Sequence, residues 1–294
     1  MSLFIASLNS GSNGNCYYVG NATEAVLIDA GISCRETERR MQRIGLDMGK
    51  VKALFVSHEH IDHIRGVPQL AKKYQLPVYI TNTTLRHSGM ALTGLPFRAL
   101  EPVTVGNLEV VPFTKYHDAA DPHSFLISCN GVRIGVFTDI GAPCDQLVHH
   151  FGKCHAAFLE ANYDPHMLDT GRYPIYLKNR IRGGHGHLSN IQALELFNTC
   201  RPETLQLLLL AHLSRDNNSP ELVHELFTRH ANGVEIVVAS RYEETKVYEV
   251  KAGVVPSSVN MTLRKEVLSV LAPARKVKKR HVPGSIQGML GFPE

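Results

Sequence analysis

Ser57-His58-Glu59-His60-Ile61-Asp62-His63 follows directly on the apolar run Ala53-Leu54-Phe55-Val56, and this junction decides the fold. The short run predicts a buried strand, and the segment behind it places three imidazoles and a carboxylate within six positions at the strand's end. Imidazole nitrogen and carboxylate oxygen suit Zn²⁺, Fe²⁺ and Mn²⁺, and such a loop can aim two histidines at one ion and the Asp-His pair at a neighbour. With 16 histidines in the chain a chance pair means little, whereas H-x-H-x-D-H behind a strand is a specific pattern.

Outward from that junction, short apolar runs separated by turn signals recur on both sides. Phe4–Ala6, Cys16–Val19, Ala25–Ile28 and Val78–Ile80 read as strands around the first one. Leu108–Phe113, Phe125–Ser128, Val132–Phe137, Ala156–Leu159, Leu205–Leu210, Glu235–Val238 and Thr245–Val250 form a second series. Helices are predicted over Ser33–Ile44, with a Ser cap and a Glu three residues on, and over Val67–Tyr74, Tyr173–Arg182, Asn190–Cys200 and Pro220–His230. Two strand-rich halves without a fixed-period repeat or low-complexity linker fit two sheets packed face to face in one layered α/β domain, residues 1–252.

With 44% apolar residues over a length of 294, the chain can bury a full core without staples. None of its six cysteines forms a C-x-x-C pair, so they read as reduced, mostly packed thiols. Met1–Ser7 lacks an export signal, and the longest apolar stretch, Leu205–Leu213, is interrupted by Gln206 and His212 and falls well short of the roughly 20 residues of a membrane span. A soluble, cytoplasmic protein is expected. The net charge of +4 is partly concentrated in a basic C-terminal extension, 253–294, with Arg264, Arg275, Lys276, Lys278, Lys279 and Arg280. That tail reads as a poorly ordered terminus, with a nucleic-acid-binding arm as the alternative.

The motif resembles the signature of the metallo-β-lactamase superfamily, and three further positions extend the resemblance in chain order: His117 in Lys115-Tyr116-His117-Asp118, Asp139 in Phe137-Thr138-Asp139, and His212 in Leu210-Ala211-His212-Leu213-Ser214. Alone, each has an ordinary explanation as a satisfied histidine or a turn-capping aspartate. The resemblance implies an αββα sandwich, two mixed β-sheets flanked by helices, holding two divalent metal ions, Zn or Mn with Fe as a third choice. It assigns His58, His60 and His117 to one ion, Asp62, His63 and His212 to the other, and Asp139 to both, with a bridging hydroxide as nucleophile and Asp62 part of the catalytic machinery. Asp29, in Ile28-Asp29-Ala30-Gly31, resembles the superfamily's early Asp and is expected to orient a ligand histidine.

Phe158-Leu159-Glu160-Ala161-Asn162 and Gly186-His187-Leu188-Ser189-Asn190 resemble segments of the tRNA-processing RNase Z branch, which implies that Glu160 orients His187 and that His187 protonates the leaving oxygen. The sequence is more similar still to the YycJ/WalJ family of exonucleases, on Ser10-Gly11-Ser12-Asn13-Gly14-Asn15, His117-Asp118-Ala119-Ala120-Asp121-Pro122, Gly171-Arg172-Tyr173-Pro174 and His212-Leu213-Ser214-Arg215-Asp216-Asn217-Asn218. This implies a bacterial cytoplasmic nuclease acting on DNA rather than RNA, with no membrane partner. His123-Ser124 departs from the pattern, which calls for a smaller apolar residue and Gly, and is expected to alter access near His117. Ser12 and Asn15 in the glycine loop, and Ser189 and Asn190 at a helix start, are candidate phosphate contacts, although such a loop is equally a hairpin turn. Arg172, Lys178, Arg180 and Arg182 could meet a nucleic-acid backbone or form a solvated face. Rival readings are a thioester or lactone hydrolase of the same fold and a non-catalytic metal-stabilised nucleic-acid-binding module; the full ligand set argues against the latter, since structural zinc sites are usually closed and mononuclear.

Overall fold

Apolar side chains fill both faces of most strands, the mark of sheets covered on two sides. In the computed structural model, which describes residues 2–253, β1 (Ser2–Asn9), β2 (Cys16–Gly20), β3 (Ala25–Ile28), β4 (Val51–Phe55), β5 (Val78–Tyr79) and β13 (Tyr248–Lys251) form one mixed sheet in the order β13-β1-β2-β3-β4-β5. β6 (Val103–Val105), β7 (Leu108–Thr114), β8 (His123–Cys129), β9 (Val132–Phe137), β10 (Ala156–Glu160), β11 (Leu207–Ala211) and β12 (Glu235–Val238) form the other, in the order β12-β11-β10-β9-β8-β7-β6.

Strand alternation sorts the core into three layers. Ile5, Tyr17, Val26, Phe55, Phe125, Val136, Phe158 and Leu209 face one another between the sheets. The opposite parity of the second sheet, Ala157, Leu159, Leu208 and Leu210, packs with Leu147, Phe151, Leu196, Phe197, Val223 and Phe227 from α5 (Asp145–Phe151), α8 (Asn190–Cys200) and α9 (Pro220–Thr228). That of the first sheet, Ala6, Tyr18, Leu27 and Leu54, packs with Met41, Val67 and Leu70 from α1 (Cys34–Arg43) and α3 (Val67–Tyr74). This is the αββα sandwich that the sequence implied.

The predicted α1, α3 and α8 form where expected, α1 with the Ser33 hydroxyl accepting from Glu36 N and α8 with a full Ser189/Gln192 capping box. Short elements escape the sequence pattern: β6, the one-turn α2 (Ile61–Ile64), α4 (Asn82–Ser88), and α6 (Pro165–Thr170), along with α5. Each is too short to show a full hydrophobic period and depends on tertiary contacts and caps, such as Thr81 on α4 and Asp164 on α6. The longer α7 (Ile175–Arg182) begins two residues later than predicted, behind Pro174. The basic extension, from residue 254 on, lies outside the described residues. No helix among the described residues is long and apolar enough to cross a membrane.

Strand direction decides where chemistry can gather. β3, β4 and β5 are parallel in one sheet and β9, β10 and β11 in the other, while β1 and β7 regain the same sense through two antiparallel steps. Their carboxyl ends all open on one edge of the sandwich. The two sheets touch there through His123 N, which donates to Ser57 O at 3.0 Å.

Glycine lets the loops at that edge close on one another. Gly66 N donates to Ala30 O at 2.7 Å and Asn15 N to Asp62 O at 2.7 Å, so the turn carrying Asp62 and His63 is stitched to the loops after β1 and β3. A Cβ on Gly31 would stand 1.6 Å from Asp62 O and 2.6 Å from Asn15 N, both main-chain atoms that cannot swing aside. Gly31→Ala is therefore expected to lower stability by more than about 2 kcal/mol, whereas Gly184→Ala, with nothing within 4 Å of its Cβ, changes it by less than about 0.5 kcal/mol. Thermal unfolding of both variants in chelator checks this; equal midpoints would overturn it.

Candidate metal centre

The site is assembled from strand ends. His58 and His60 follow β4, Asp62 and His63 ride on α2, His117 follows β7, Asp139 follows β9, Glu160 ends β10 and His212 follows β11. Ligand atoms of His58, His60 and His117 lie within 4.8 Å of one another, as do those of Asp62, His63 and His212, and those of His58, His63 and Asp139. Asp139 joins the groups: its carboxylate oxygens lie 3.2 Å from His63 Nε2, 3.5 Å from His212 Nε2 and 3.8 Å from His117 Nε2. The structure thus brings together all seven side chains that the sequence marked as ligands.

Hydrogen bonds fix which nitrogen each imidazole turns inward. His63 Nδ1 donates to Asp29 Oδ2 at 2.7 Å, His212 Nδ1 to Glu160 Oε1 at 2.9 Å, and His117 Nδ1 to Gly186 O at 3.1 Å. The Ser57 hydroxyl donates to Asp29 Oδ2 at 2.7 Å and so accepts from His58 Nδ1 at 2.9 Å. All four rings turn Nε2 towards the centre. His60 presents Nδ1 instead, 3.1 Å from His58 Nε2. Two nitrogens at about 2.0–2.1 Å from one tetrahedral zinc lie about 3.3 Å apart, so this spacing fits a shared ion. Among the described residues, Nε2 of His117, Nε2 of His212 and Oδ2 of Asp139 are buried with no hydrogen-bond partner. Buried polar atoms rarely stay unpaired, and these converge on one space with the donor chemistry of a divalent cation.

The electrostatics carry the same mark. Burial pushes the His58 imidazole well below its ordinary value and His117 down to about 3. Burial works against charge on His63 and His212 too, yet Asp139 with Asp29 and Asp62 raises His63 well above its usual value, and Asp139, Asp62 and Glu160 raise His212 to about 10. Burial opposes ionisation of Asp139, but His212 and His63 hold it well below the carboxylate range.

Glu160 is fully buried and completely engaged. Oε1 accepts from His187 Nδ1 at 2.8 Å and from His212 Nδ1, while Oε2 accepts from Ile140 N at 2.6 Å and Leu188 N at 3.2 Å. With its lone pairs committed, Glu160 acts as an acceptor that positions two histidines. His187, with its side chain 21% exposed, is the ring solvent can reach. Burial disfavours the Glu160 carboxylate, but His187 and His212 hold it at about 2.

Other predicted contacts turn elsewhere. Asn15 is fully buried, its Nδ2 3.3 Å from Asp62 Oδ2 and 3.0 Å from His63 Nε2, so it braces the centre. Ser189 is spent on the α8 capping box, and Asn190 is fully buried with Nδ2 on Asn218 Oδ1 at 2.9 Å, which leaves neither side chain to reach a phosphate. Ser12 does face outward, its hydroxyl 3.1 Å from Arg241 Nη2. The His123 ring is buried edge-on against Phe97 at 5.1 Å, with Nδ1 3.0 Å from Asp121 O. Sequence reasoning gave no role to Ser57, Ser10 or Asn162, which fix His58, His212 N at 2.7 Å and His212 O at 2.7 Å; their signal was adjacency to the marked residues.

Comparison with known proteins agrees with this geometry. Residues 24–212 match the model of the beta-lactamase superfamily domain. A protein of Bacillus anthracis named exodeoxyribonuclease YycJ is 37% identical over 229 residues, 76% of this chain and 86% of that protein. Exodeoxyribonuclease WalJ of Streptococcus pneumoniae is 30% identical over 225 residues, 74% of this chain and 84% of that one. In fold, the metallo-beta-lactamase fold protein YhfI of Bacillus subtilis superposes with a TM-score of 0.66 at 15% identity, covering 85% of this chain and 100% of that chain. The chain belongs to the metallo-β-lactamase superfamily, in the group that includes YycJ and WalJ.

Proposed function

We propose that this chain is a metal-dependent phosphodiesterase that removes nucleotides from DNA, with His187 as its general acid. The observation that carries the reading is the His187–Glu160 pair, 2.8 Å apart, set beside seven converging ligand side chains. The likeness to two proteins named exodeoxyribonuclease supports the substrate class.

His58, His60 and His117 would hold one ion, Asp62, His63 and His212 the other, and Asp139 both. Zn²⁺ and Mn²⁺ suit this mixed nitrogen and oxygen set, with Fe²⁺ a further fit. Two such ions would polarise a phosphodiester and make a water between them more acidic. Around them the protein's own groups do the rest. Asp29 and Glu160 hold ring tautomers, and burial keeps bulk water from the ligand nitrogens. Because His187 gives Nδ1–H to Glu160, its Nε2 is the atom that hands a proton to the departing oxygen. Six cysteines, none of them in a disulfide, suit a reducing, cytoplasmic setting.

The decisive experiment incubates metal-loaded protein with end-labelled single-stranded DNA, double-stranded DNA and RNA. His187→Ala should lower kcat by about 10² to 10⁴ with full metal content by elemental analysis, whereas Asp139→Ala should lose both cleavage and metal. Full activity in His187→Ala would remove the proposed acid.

Dialysis against a chelator should abolish cleavage and Zn²⁺ or Mn²⁺ restore it. Metal at about 100 times its Kd should also add about 2.7 kcal/mol of stability, read as a higher unfolding midpoint. An unchanged midpoint and undiminished cleavage would rule out the metal centre.

A further inference from the structure

Lys178, Arg180 and Arg182 along α7 look alike in sequence, and the structure separates them. Lys178 is buried with Nζ on Asp169 O at 2.8 Å, and Arg182 reaches Asp169 Oδ1 at 2.8 Å; both turn back onto α6. Arg180 goes the other way. Its Nε donates to Asp118 Oδ2, and Asp118 Oδ1 lies 3.4 Å from His117 Nε2, the nitrogen that faces the metal centre. The Arg180 side chain is 60% exposed. Asp118 grips one edge of the guanidinium, whose planar fork carries four further N–H donors matched to phosphate oxygens.

One helical turn earlier on the same face stands Tyr176, 73% exposed, an aromatic ring that no core contact explains. Exposed rings beside a cation are the elements from which single-stranded nucleic acids are gripped, because every base has a face to stack and every linkage a charge. Tyr116, beside His117, is also half-exposed, its ring meeting His185 edge-on at 5.7 Å on the flank of the same mouth.

We propose that Arg180, steadied by Asp118, and Tyr176 form a subsite for the nucleotide next to the scissile linkage, with Arg180 on its phosphate and Tyr176 stacked on its base. The subsite rests on the nuclease reading above and deepens it. Stacking on Tyr176 needs a base free of its partner, so the substrate end that enters is single-stranded, and a blunt duplex must fray first.

The test measures KM and kcat of the metal-loaded full chain on a single-stranded oligonucleotide and on the same strand with an abasic site beside the cleaved linkage. Tyr176→Ala should raise KM on the natural strand by about five- to a hundredfold, the range of one lost stacking contact, with kcat little affected, and Tyr176→Phe should restore it. On the abasic strand the Tyr176→Ala and wild-type KM values should coincide, since the two losses are one contact. Arg180→Gln should raise KM and reduce the slope of log KM against log salt by about 0.7, the share of one phosphate on a single strand. Additive effects of Tyr176→Ala and the abasic site, or an unchanged salt slope in Arg180→Gln, would overturn the subsite while leaving the nuclease standing. A wild-type protein that cleaves no DNA would overturn both.

Discussion

Negative charge held out of water is the constraint from which the rest of this structure follows. Asp29, Asp139 and Glu160 are at most 2% exposed and Asp62 adjoins them, so four carboxylates share one enclosed region. Burying even one unpaired carboxylate costs several kcal/mol. Lys115, buried with Nζ on Thr138 O at 2.7 Å, supplies a single fixed cation nearby. The raised His63 and His212 show the same field drawing positive charge onto imidazole. Two divalent cations would balance four carboxylates, and the ring nitrogens, already oriented by their outer hydrogen bonds, would then serve as ligands instead of proton carriers.

Bringing that much charge together demands an unusual backbone. Asp29, Asp139 and His212 adopt φ values of 60°, 57° and 57°, the left-handed region that residues other than glycine rarely enter. Each stands where its strand ends, and the local reversal aims the side chain along the open edge instead of continuing the alternation between faces. Such strain, on the order of 1–3 kcal/mol each, persists because the neighbours over-determine it. Asp29 is held by Ser57 N at 2.8 Å, and His212 by Ser10 Oγ on its N–H and Asn162 on its carbonyl. The surrounding sheets, buried on both faces, provide the rigidity for this.

The layered fold was legible because buried strands write themselves as continuous apolar runs. β3, β7 and β9 begin where the runs begin, while β6 has three residues and no pattern to read. The side chains that could hold a metal were legible because each follows such a run. The direction of a polar side chain was not. Asn15 sits in a glycine loop that reads as a phosphate cradle, yet it turns inward onto Asp62, 47 residues away in sequence. Ser189 carries a helix-cap signal that is equally an anion-site signal, and only the capping box distinguishes them. Likewise, nothing local tells Arg180 from Arg182; the difference is Asp118 on one side of α7 and Asp169 on the other.

The centre is divided between the sheets, and each half carries its own buried acceptor. Asp29 serves the first sheet's side, taking His63 directly and His58 through Ser57. Glu160 serves the second, taking His212 and His187 on a single oxygen. Because that oxygen is shared, His212 and His187 cannot be repositioned independently: a shift that lengthens one bond changes the angle of the other. The halves meet at Asp139, which belongs to the second sheet and approaches His63 from the first at 3.2 Å, and at the backbone bond from His123 N to Ser57 O. Ser10 Oγ, accepting from His212 N at 2.7 Å, and Glu59 Oε1, accepting from Ala120 N at 2.7 Å, also span the gap. Because His58 and His60 face His117 while Asp62 and His63 face His212, the spacing of the sheets, set by the apolar layer between them, sets how closely the two halves of each group approach. Core packing far from the ligands therefore belongs to the chemistry, since a cavity that let the sheets approach would be felt first at Asp139.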